Sequence, residues 1–396
     1  IRSMMLFAFL ALPLLLSAED VKPRAIGGSS DKPARVAVIA GEGSRAPKAG
    51  MVDLLTVELS KQKQLELVER SEVQKVLAEQ SLTAAGLTTG DAAAKLGRLL
   101  SADLFAVVET IPKITPAALR IQLIESCTGV VLGDVLQQGE SLEQDLGELR
   151  DKVTLALAKL RTADKERRYI GILGFRSEEA GRSLDGLAEA LGMLLATDLN
   201  RSPAVIILDR EHMDRFSREK ELTAIELALK SSAVLVQGGI KRAPDDKHFT
   251  ITVVFESPTG QKTEPVMARV PRDDIPELRR ALANTILDRL QVVAPAKKVM
   301  GRKEEAEVFA RRSELLSGYG SYALHLPRVA FAGPSGLAAD YERDAAGRAA
   351  EAAYALHPSQ ENLHRIAFFA RGIRRKELFL AFWRQHGEAL LGSAPY

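Results

Sequence analysis

Cysteine is nearly missing from this sequence, which has one, Cys127, among its 396 residues. A single thiol cannot close a disulfide within the chain, and it cannot supply the ligands of a cysteine-rich metal site. Both of those protein classes are therefore excluded. The fold must instead be held by apolar packing, and hydrophobic residues make up 46% of the chain.

Aromatic residues and an excess of one charge are also scarce. Phe, Trp and Tyr together reach 5%, so Leu, Val, Ile and Ala must fill the cores. The 54 Lys and Arg nearly balance the 52 Asp and Glu, which leaves a net charge of +2. Because a general nucleic-acid-binding surface needs a clear basic excess, we expect no nucleic-acid partner.

Recognisable catalytic and cofactor motifs are lacking. Gly41 and Gly43 follow a predicted strand, but neither a P-loop nor a G-x-G-x-x-G pattern continues from them, and no G-x-S-x-G occurs. None of the histidines has metal-ligand spacing. They are His212, His248, His325, His357, His364 and His386. We therefore expect no catalytic, cofactor-binding or metal-binding residues, and no cofactor.

One long apolar run occurs, close to the first residue. Arg2 precedes apolar residues 4–16, and the small residues Ser17 and Ala18 follow. This pattern is typical of a secretory signal peptide, residues 1–18, and an uncleaved anchor is the alternative. A polar leader, residues 19–34, comes next. We expect a secreted, periplasmic protein without lipid attachment, since no cysteine lies near the cleavage region.

A strand followed by a helix recurs about 140 residues apart. Residues 65–69 form a short apolar run, and a helix is predicted over 71–80 with Ser71 as its cap. Residues 205–208 precede Asp209, Arg210 and a predicted helix over 211–219. The best internal match sets residues 124–129 (IESCTG) against 255–260 (FESPTG). These matches in the same order indicate a duplicated domain.

The surrounding patterns predict two tandem three-layer-type α/β domains with mixed sheets, at residues 35–162 and 168–292. In the first domain we predict strands at 35–40, 65–69, 104–110, 119–125 and 130–137, and helices at 51–62, 71–80, 91–100 and 142–160. In the second we predict strands at 169–175, 205–208, 233–240, 249–255 and 262–269, and helices at 184–199, 211–219, 223–230 and 274–290.

The last region, residues 300–396, is predicted to be helical. Helices are expected at 302–316, 340–356 and 359–370. The alanine-rich stretch 345–358 resembles one tetratricopeptide-type unit, in which small residues let helices pack closely. An ordinary helical hairpin is the alternative, since an independent array needs about three units.

A few polar residues remain as candidates. The neighbours Glu69–Arg70 and Asp209–Arg210 are interpreted as pairs that fix each strand-to-helix turn, with a contact surface as the alternative. Cys127 is expected to fill a hairpin turn rather than act as a nucleophile, because Pro258 takes its place in the second domain. The basic clusters 161–168 and 371–376 are interpreted as solvated surface, with a polyanion or anionic-lipid contact as the alternative.

The first domain resembles the CsgG-like family of curli production assembly and transport components. The resemblance rests on LLTVELS at 54–60, LELVERSEVQKVLAEQ at 65–80, Gly86, AKLGRLLSA at 94–102 and DLFAVV at 103–108. It implies an α/β periplasmic domain related in shape to the N-terminal domain of the TolB protein. It also implies a non-enzymatic role in secretion or assembly at the outer membrane. The second domain matches in outline, at residues 208–210.

One feature of that family is not expected here. The resemblance would imply extra membrane-spanning hairpins, whose strands need about 9–11 residues each. Nine residues, including Pro112 and Pro116, separate Glu109 from Leu119, and the segment 241–248 is similarly short. The acyl-anchor cysteine of the family's channel is missing as well. We therefore expect the family's domain without its pore.

Together these features predict a non-enzymatic protein of the periplasm and cell envelope. It would act in envelope assembly or secretion as a protein–protein interaction scaffold, through its edge strands and helical tail. Its expected partners are envelope proteins, with homo-oligomers and peripheral outer-membrane association as further possibilities. The alternatives are a periplasmic regulator of a cell-wall enzyme and an envelope enzyme with an unrecognised site.

Overall fold

The computed structural model of the chain describes residues 32–41, 47, 50–80, 87, 90–111, 118–138, 146–179, 184–208, 213, 216, 222–257, 260–272, 274–293, 300–323 and 335–370. Several predicted features lie outside these residues. They are the signal peptide, nearly all of the leader, Asp209 and Arg210, most of the helix at 211–219, and the basic cluster 371–376.

The first unit is a five-stranded mixed sheet with helices on both faces. Its elements are β1 (Ala34–Ala40), α1 (Met51–Ser60), β2 (Leu65–Leu67), α2 (Arg70–Gln80), α3 (Gly90–Leu100), β3 (Leu104–Ile111), β4 (Ala118–Glu125), β5 (Val131–Gln138) and α4 (Leu146–Arg161). The strand order is β2-β1-β3-β4-β5, with β1 parallel to β2 and β3 and the remaining pairs antiparallel.

Alternation along the strands builds two cores in this unit. Val36 and Leu104 point to one face, where they pack with α1 and α4. Ala37 and Phe105 point to the other face, which α2 and α3 cover. Because successive side chains of a strand point to opposite faces, strands buried on both sides read as continuous apolar runs. This is the pattern that predicted them.

The second unit repeats the architecture. Its elements are β6 (Arg168–Ser177), α5 (Asp185–Leu199), β7 (Val205–Leu208), α6 (Ala224–Ser232), β8 (Ala233–Arg242), β9 (His248–Glu256), β10 (Val266–Pro271) and α7 (Ile275–Arg289). The strand order is β7-β6-β8-β9-β10, with the same parallel and antiparallel pairs as the first sheet. The predicted fold class of two α/β units is confirmed.

Two details of the prediction are wrong. The last strand of the second sheet was expected at 262–269, but β10 spans Val266–Pro271. Lys262 and Thr263 bond to Glu256 and Phe255 in a register that differs by one residue from that of β10, so they are not part of its ladder. The second detail concerns the matched segments 124–129 and 255–260, which are not equivalent in register.

That difference in register follows from strand pairing. Glu125 pairs with Leu104, which packs with α1 and α4. Glu256 pairs with Leu235, but it is the neighbouring Val236 that packs with α5 and α7. Because successive side chains alternate between faces, Glu125 faces the α1/α4 layer while Glu256 points away from the α5/α7 layer. The units therefore agree in strand order, but the sequence match of 124–129 with 255–260 is offset by one residue from the structural alignment of the two sheets.

The two units share one apolar core. Ile206, Leu208 and Leu229 of the second unit join the cluster that contains Leu157 and the α1/α4 face of the first sheet. The helices α3 and α6 also approach closely: a Cβ atom on Gly90 would lie 3.0 Å from Cγ2 of Ile225. The absence of a side chain at Gly90 lets the two helices meet.

The C-terminal helices are α8 (Arg302–Ala323), α9 (Ser335–Leu356) and α10 (Gln360–Ala370). The alanines Ala349, Ala352 and Ala353 of α9 lie in a core with Ala190 and Leu194 of α5. Small side chains allow this close approach between helices. The helical region therefore packs on the second unit, as an extension of its helical layer.

The helix α8 also reaches the first sheet. Leu315 and Leu316 pack against Ile111 and Ala118, at the ends of β3 and β4. Beside them, Arg312 donates to Asp134 at 2.9 Å. The C-terminal helices thus connect both units and cover the part of the first sheet that α2 and α3 leave open.

Candidate interaction surface

The two sheets differ in how they are buried. Seven of the eight residues of β4 are buried, so both of its faces are covered. In contrast, β9 alternates strictly between buried and half-buried residues. Phe249, Ile251, Val253 and Phe255 face the α5/α7 core, while the side chains between them face a half-exposed surface. The second sheet therefore keeps one face partly open around β8, β9 and β10.

The strand β10 is an edge of this sheet, because its described ladder partner is β9 alone. The amide of Arg272 donates to the carbonyl of Lys247, opposite on the β9 side. Backbone groups of an antiparallel strand alternate in direction. The amides of Val266, Ala268 and Val270 therefore point to β9, and those of Met267 and Arg269 point outward.

The side chains of this edge are unusually exposed for apolar residues. Met267 is 71% exposed and Val266 is 38% exposed. Pro265 and Pro271 flank the outward-facing residues, and proline is accepted on an edge strand because its position needs no donor. The outward-facing backbone of β10 is thus a short strand template with a proline at each end.

The β8–β9 turn lies next to the end of β10. Asp246 has a left-handed backbone with φ of 53°. Its carboxylate accepts from Arg272 at 2.5 Å, and the guanidinium of Arg272 stands 5.7 Å from the centre of the Phe249 ring. A shallow cleft of about 660 Å³ opens here, lined by Asp246, Lys247, His248, Phe249, Pro271 and Arg272.

Asp245 lies beside this cleft, in the β8–β9 turn, and is held in its ionised form. Asp245 accepts from His248 and Arg269, each at 2.6 Å. Although desolvation opposes the shift, these hydrogen bonds hold the pKa of Asp245 well below its usual range. A carboxylate kept ionised in this way is a poor proton carrier near neutral pH. The arrangement suits binding, with an open strand beside paired charges.

Cys127 lies instead at the junction between the two units. Burial, and then the negative charge of Glu125, raise the pKa of the Cys127 thiol well above its usual range. The thiolate needed for nucleophilic chemistry is therefore disfavoured. The position of Cys127 in the β4–β5 turn agrees with the predicted turn-filling role.

A buried ion pair beside Cys127 joins the units. Arg167 donates to Glu125 at 2.7 Å, and their side chains are 3% and 0% exposed. The guanidinium also donates to the carbonyls of Leu160 and Thr162. Burial and Glu125 raise the pKa of nearby Tyr169 to about 12. This network fixes the chain between α4 and β6.

The cluster 161–168 was therefore wrongly interpreted as solvated surface at Arg167. A second arginine of the cluster, Arg161, donates to Gln64 at 3.1 Å, next to β2. Local charge density indicated an exposed segment, but its buried partner, Glu125, is 42 residues away. Such a partner leaves no sign in the local pattern.

The predicted pair Glu69–Arg70 is also replaced by a longer-range contact. Arg70 donates to Asp53 of α1 at 2.7 Å, with both side chains more than half exposed. The main chain of Glu69 accepts from the amide of Val73, which closes the first turn of α2. Arg70 thus links α2 to α1, and its partner is Asp53 rather than Glu69.

The edge strand itself was not singled out from the sequence. One sequence signal could have found it, namely the prolines at 265 and 271 on either side of a short strand-like run. Among the described residues, no group of three or more His, Cys, Asp and Glu side chains could hold a metal ion. Within the same part of the chain, no helix is long and apolar enough to cross a bilayer.

Comparison with known proteins bears on the first unit. Residues 37–110 match the family model described as the curli production assembly/transport component CsgG. This segment runs from within β1 to within β3, and it contains the residues on which the predicted resemblance rests. That resemblance is confirmed for this part of the chain.

A solved structure was also found, titled "Crystal Structure of Lipoprotein GNA1162 from Neisseria meningitidis". It is 18% identical, with a TM-score of 0.23, and the alignment covers 32% of this chain and 97% of that chain. No curated protein matches the chain.

Proposed function

We propose that this chain is a non-enzymatic protein of the cell envelope that acts as a protein-interaction scaffold in envelope assembly or secretion. The match of residues 37–110 to the CsgG family model supports this class of function. The signal-peptide pattern of residues 1–18 supports export to the periplasm. Envelope proteins are the proposed partners, with the outer membrane as a peripheral contact.

The exposed edge of β10 is the observation that carries the proposal. The two units and the C-terminal helices are joined by buried contacts, such as the Arg279 guanidinium between Asp198 at 2.7 Å and Glu305 at 2.8 Å. A body joined in this way holds the open strand at a fixed place, where the backbone of Met267 and Arg269 can bind an added strand.

The pore of the family is not part of the proposal. Five residues, 243–247, connect β8 to β9, and hydrogen bonds between Ala243 and His248 and between Asp246 and Ala243 close this turn. A membrane-spanning hairpin would need strands of about 9–11 residues here. The corresponding segment in the first unit, residues 112–117, lies outside the described residues.

Cross-linking in an envelope fraction tests the function. The chain, with a C-terminal affinity tag, is cross-linked in cells and recovered from periplasm and membranes. We expect periplasmic or outer-membrane proteins to be recovered with the wild type and to be lost with Met267→Pro, which removes an outward amide. The matched control Met267→Thr keeps that amide and should retain them. Recovery of cytosolic proteins alone, or heat-resistant rings in detergent, would contradict the proposal.

A further inference from the structure

We infer that β10 pairs with β10 of a second copy of this chain, in antiparallel orientation, so that two second sheets form one continuous sheet. The inference rests on the proposed function, because both require an accessible β10 edge. It goes further by naming a second copy as the source of the added strand and by giving its register, so that envelope proteins would bind the paired chains rather than the β10 edge itself.

The sequence around β10 is nearly symmetric about its centre. Residues 264–272 read EPVMARVPR, with Ala268 in the middle. When two copies run antiparallel with Ala268 opposite itself, Val266 lies opposite Val270 and Pro265 lies opposite Pro271. Glu264 then lies opposite Arg272 at each end. Opposite charges in facing positions stabilise a strand pair, and each pair occurs twice by symmetry. Arg272 already binds Asp246 of its own chain, so Glu264 of the other copy would be its second carboxylate partner.

The backbone fits the same register. The outward-facing amides are those of Met267 and Arg269, since the residues between them bond to β9. In the symmetric pairing, Met267 of one copy lies opposite Arg269 of the other, and such a pair exchanges both of its N–H···O bonds. The prolines occupy the next outward positions, where they lack donors and end the ladder.

Neighbouring registers are less favourable. A shift by two residues in one direction places Arg269 opposite Arg269 of the other copy, and like charges in facing positions are destabilising. A shift in the other direction places Met267 opposite itself and Glu264 opposite Val270, which loses the charge pair. The central register therefore combines the backbone bonds with opposite charges.

The contact is short, so the association is expected to be weak. One strand of six residues buries less area than a standard interface, which places the expected dissociation constant on the order of 10 μM or weaker. Sedimentation velocity of the full chain from about 1 μM to about 1 mM covers this range. We expect a monomer–dimer equilibrium. A monomer throughout the series would overturn the inference.

A proline at the outward position tests the surface. Met267→Pro removes one donor from each copy without touching the ladder to β9, so it should weaken the dimer about tenfold or more with an unchanged circular dichroism spectrum. Met267→Thr keeps the amide and should dimerise like the wild type. Equal dimerisation of the proline variant would show that β10 is not the interface.

A disulfide tests the register. In a Cys127→Ser background, Ala268→Cys places two thiols opposite each other across the symmetry axis, in a non-hydrogen-bonded pair with Cα atoms about 4.5 Å apart. Mild oxidation should then link the copies. The matched control Met267→Cys should not link, because its counterpart lies two residues away. Linkage by the control instead would contradict the central register.

Charge exchange gives an independent test. Glu264→Arg should weaken the dimer by placing two guanidinium groups together, and Arg272→Glu should weaken it by placing two carboxylates together. An equimolar mixture of these two variants pairs opposite charges at both ends and should associate more strongly than either variant alone. A mixture no stronger than its components would overturn the proposed pairing.

The dimer and the proposed function can fail separately. If the chain is monomeric at every concentration while Met267→Pro still abolishes recovery of envelope proteins, the dimer is wrong and the scaffold function stands. If the chain dimerises through β10 but cells yield cytosolic proteins alone, the dimer stands and the proposed function is wrong.

Discussion

The two sheets have the same strand order but different surroundings. In the first sheet, α2, α3 and α8 cover the face opposite α1 and α4, and the edge strand β5 is packed, with Val135 fully buried. In the second sheet the corresponding edge strand, β10, exposes Met267. The two units thus share a fold, but the first sheet is covered on both faces, whereas the second sheet keeps one face and the β10 edge exposed.

The same contrast appears at the β4–β5 and β9–β10 hairpins. Glu125 and Glu256 each end a strand, but Glu125 pairs with buried Arg167, whereas Glu256 pairs with Lys262 at 3.7 Å, whose side chain is 58% exposed. The first hairpin serves as a joint between units, and the second borders the open edge. The two hairpins therefore have the same topology but different roles in the structure.

The largest expected effect is loss of the buried cation. Arg167→Met leaves the Glu125 carboxylate buried without its partner, and we expect the free energy of unfolding to fall by about 3–5 kcal/mol. Urea denaturation followed by circular dichroism measures it. The matched change in the other hairpin, Lys262→Met, removes an exposed partner and should cost about 0.5 kcal/mol or less. Similar losses at both hairpins would refute the contrast.

A smaller loss is expected where α8 covers the first sheet. Leu315→Ala opens a cavity against Ile111 and should lower the free energy of unfolding by about 2–4 kcal/mol. Amide hydrogen exchange should accelerate at the ends of β3 and β4, which makes this sheet more like the second. Leu227→Ala, at a residue that is 50% exposed, is the control and should have little effect. Unchanged exchange in Leu315→Ala would contradict the covering role of α8.

The next expected effect is a gain in stability, and its size depends on pH. Lys159 is fully buried between α4 and the end of α5, where its ammonium donates to Asn200. Burial, and then Lys152, lower the pKa of Lys159 to about 7. The unfolded chain binds this proton up to about pH 10.5, so the penalty is absent above that pH, grows as the pH falls towards 7, and is constant below it.

Lys159→Met should therefore stabilise the protein by about 1–3 kcal/mol at neutral pH. Thermal melts of wild type and variant between pH 7 and pH 10 measure the difference, which should shrink as the pH rises. Because other titrating groups, including Tyr169, are the same in both proteins, their contributions cancel in the difference between wild type and variant. A constant or growing gap across this range would show that Lys159 is not the origin of the effect.

The smallest effect is expected at the open edge itself. Met267→Thr changes an exposed side chain and should alter the free energy of unfolding by about 0.5 kcal/mol or less. Val135→Thr, in the packed edge strand β5, buries a hydroxyl and should cost about 1–3 kcal/mol. Chemical denaturation of both variants measures the two changes in the free energy of unfolding. Equal costs would mean that the two edges are equally buried.

Much of the fold was predictable because its signals are local. The strand β7 was predicted at the residues it occupies, and β1, β3 and β4 began within one residue of the predicted position. Continuous apolar runs and turn residues mark these elements. The error at β10 arose because the pairing with β9 changes register by one residue between Thr263 and Val266, inside an otherwise strand-like run.

The interaction surface was harder to predict. Exposure of Met267 depends on what covers its face of β10, and α7, which follows at Ile275, packs on the opposite face, with Val270. Burial of Arg167 likewise depends on Glu125, which belongs to another element. Periodicity reports which face of a strand is apolar, whereas the neighbouring surfaces are contributed by distant parts of the chain.

The sequence by itself determined the order of the elements, the two α/β units and the resemblance of the first to the CsgG-like family, because hydrophobic period, turn residues and motif order are properties of short segments. The tertiary structure decided which sheet is covered on both faces and which keeps an exposed edge. Arg312 meets Asp134 across 178 residues, and α8 covers the first sheet because that contact and its apolar neighbours bring distant segments together. Packing at this range is what leaves β10 as the exposed edge.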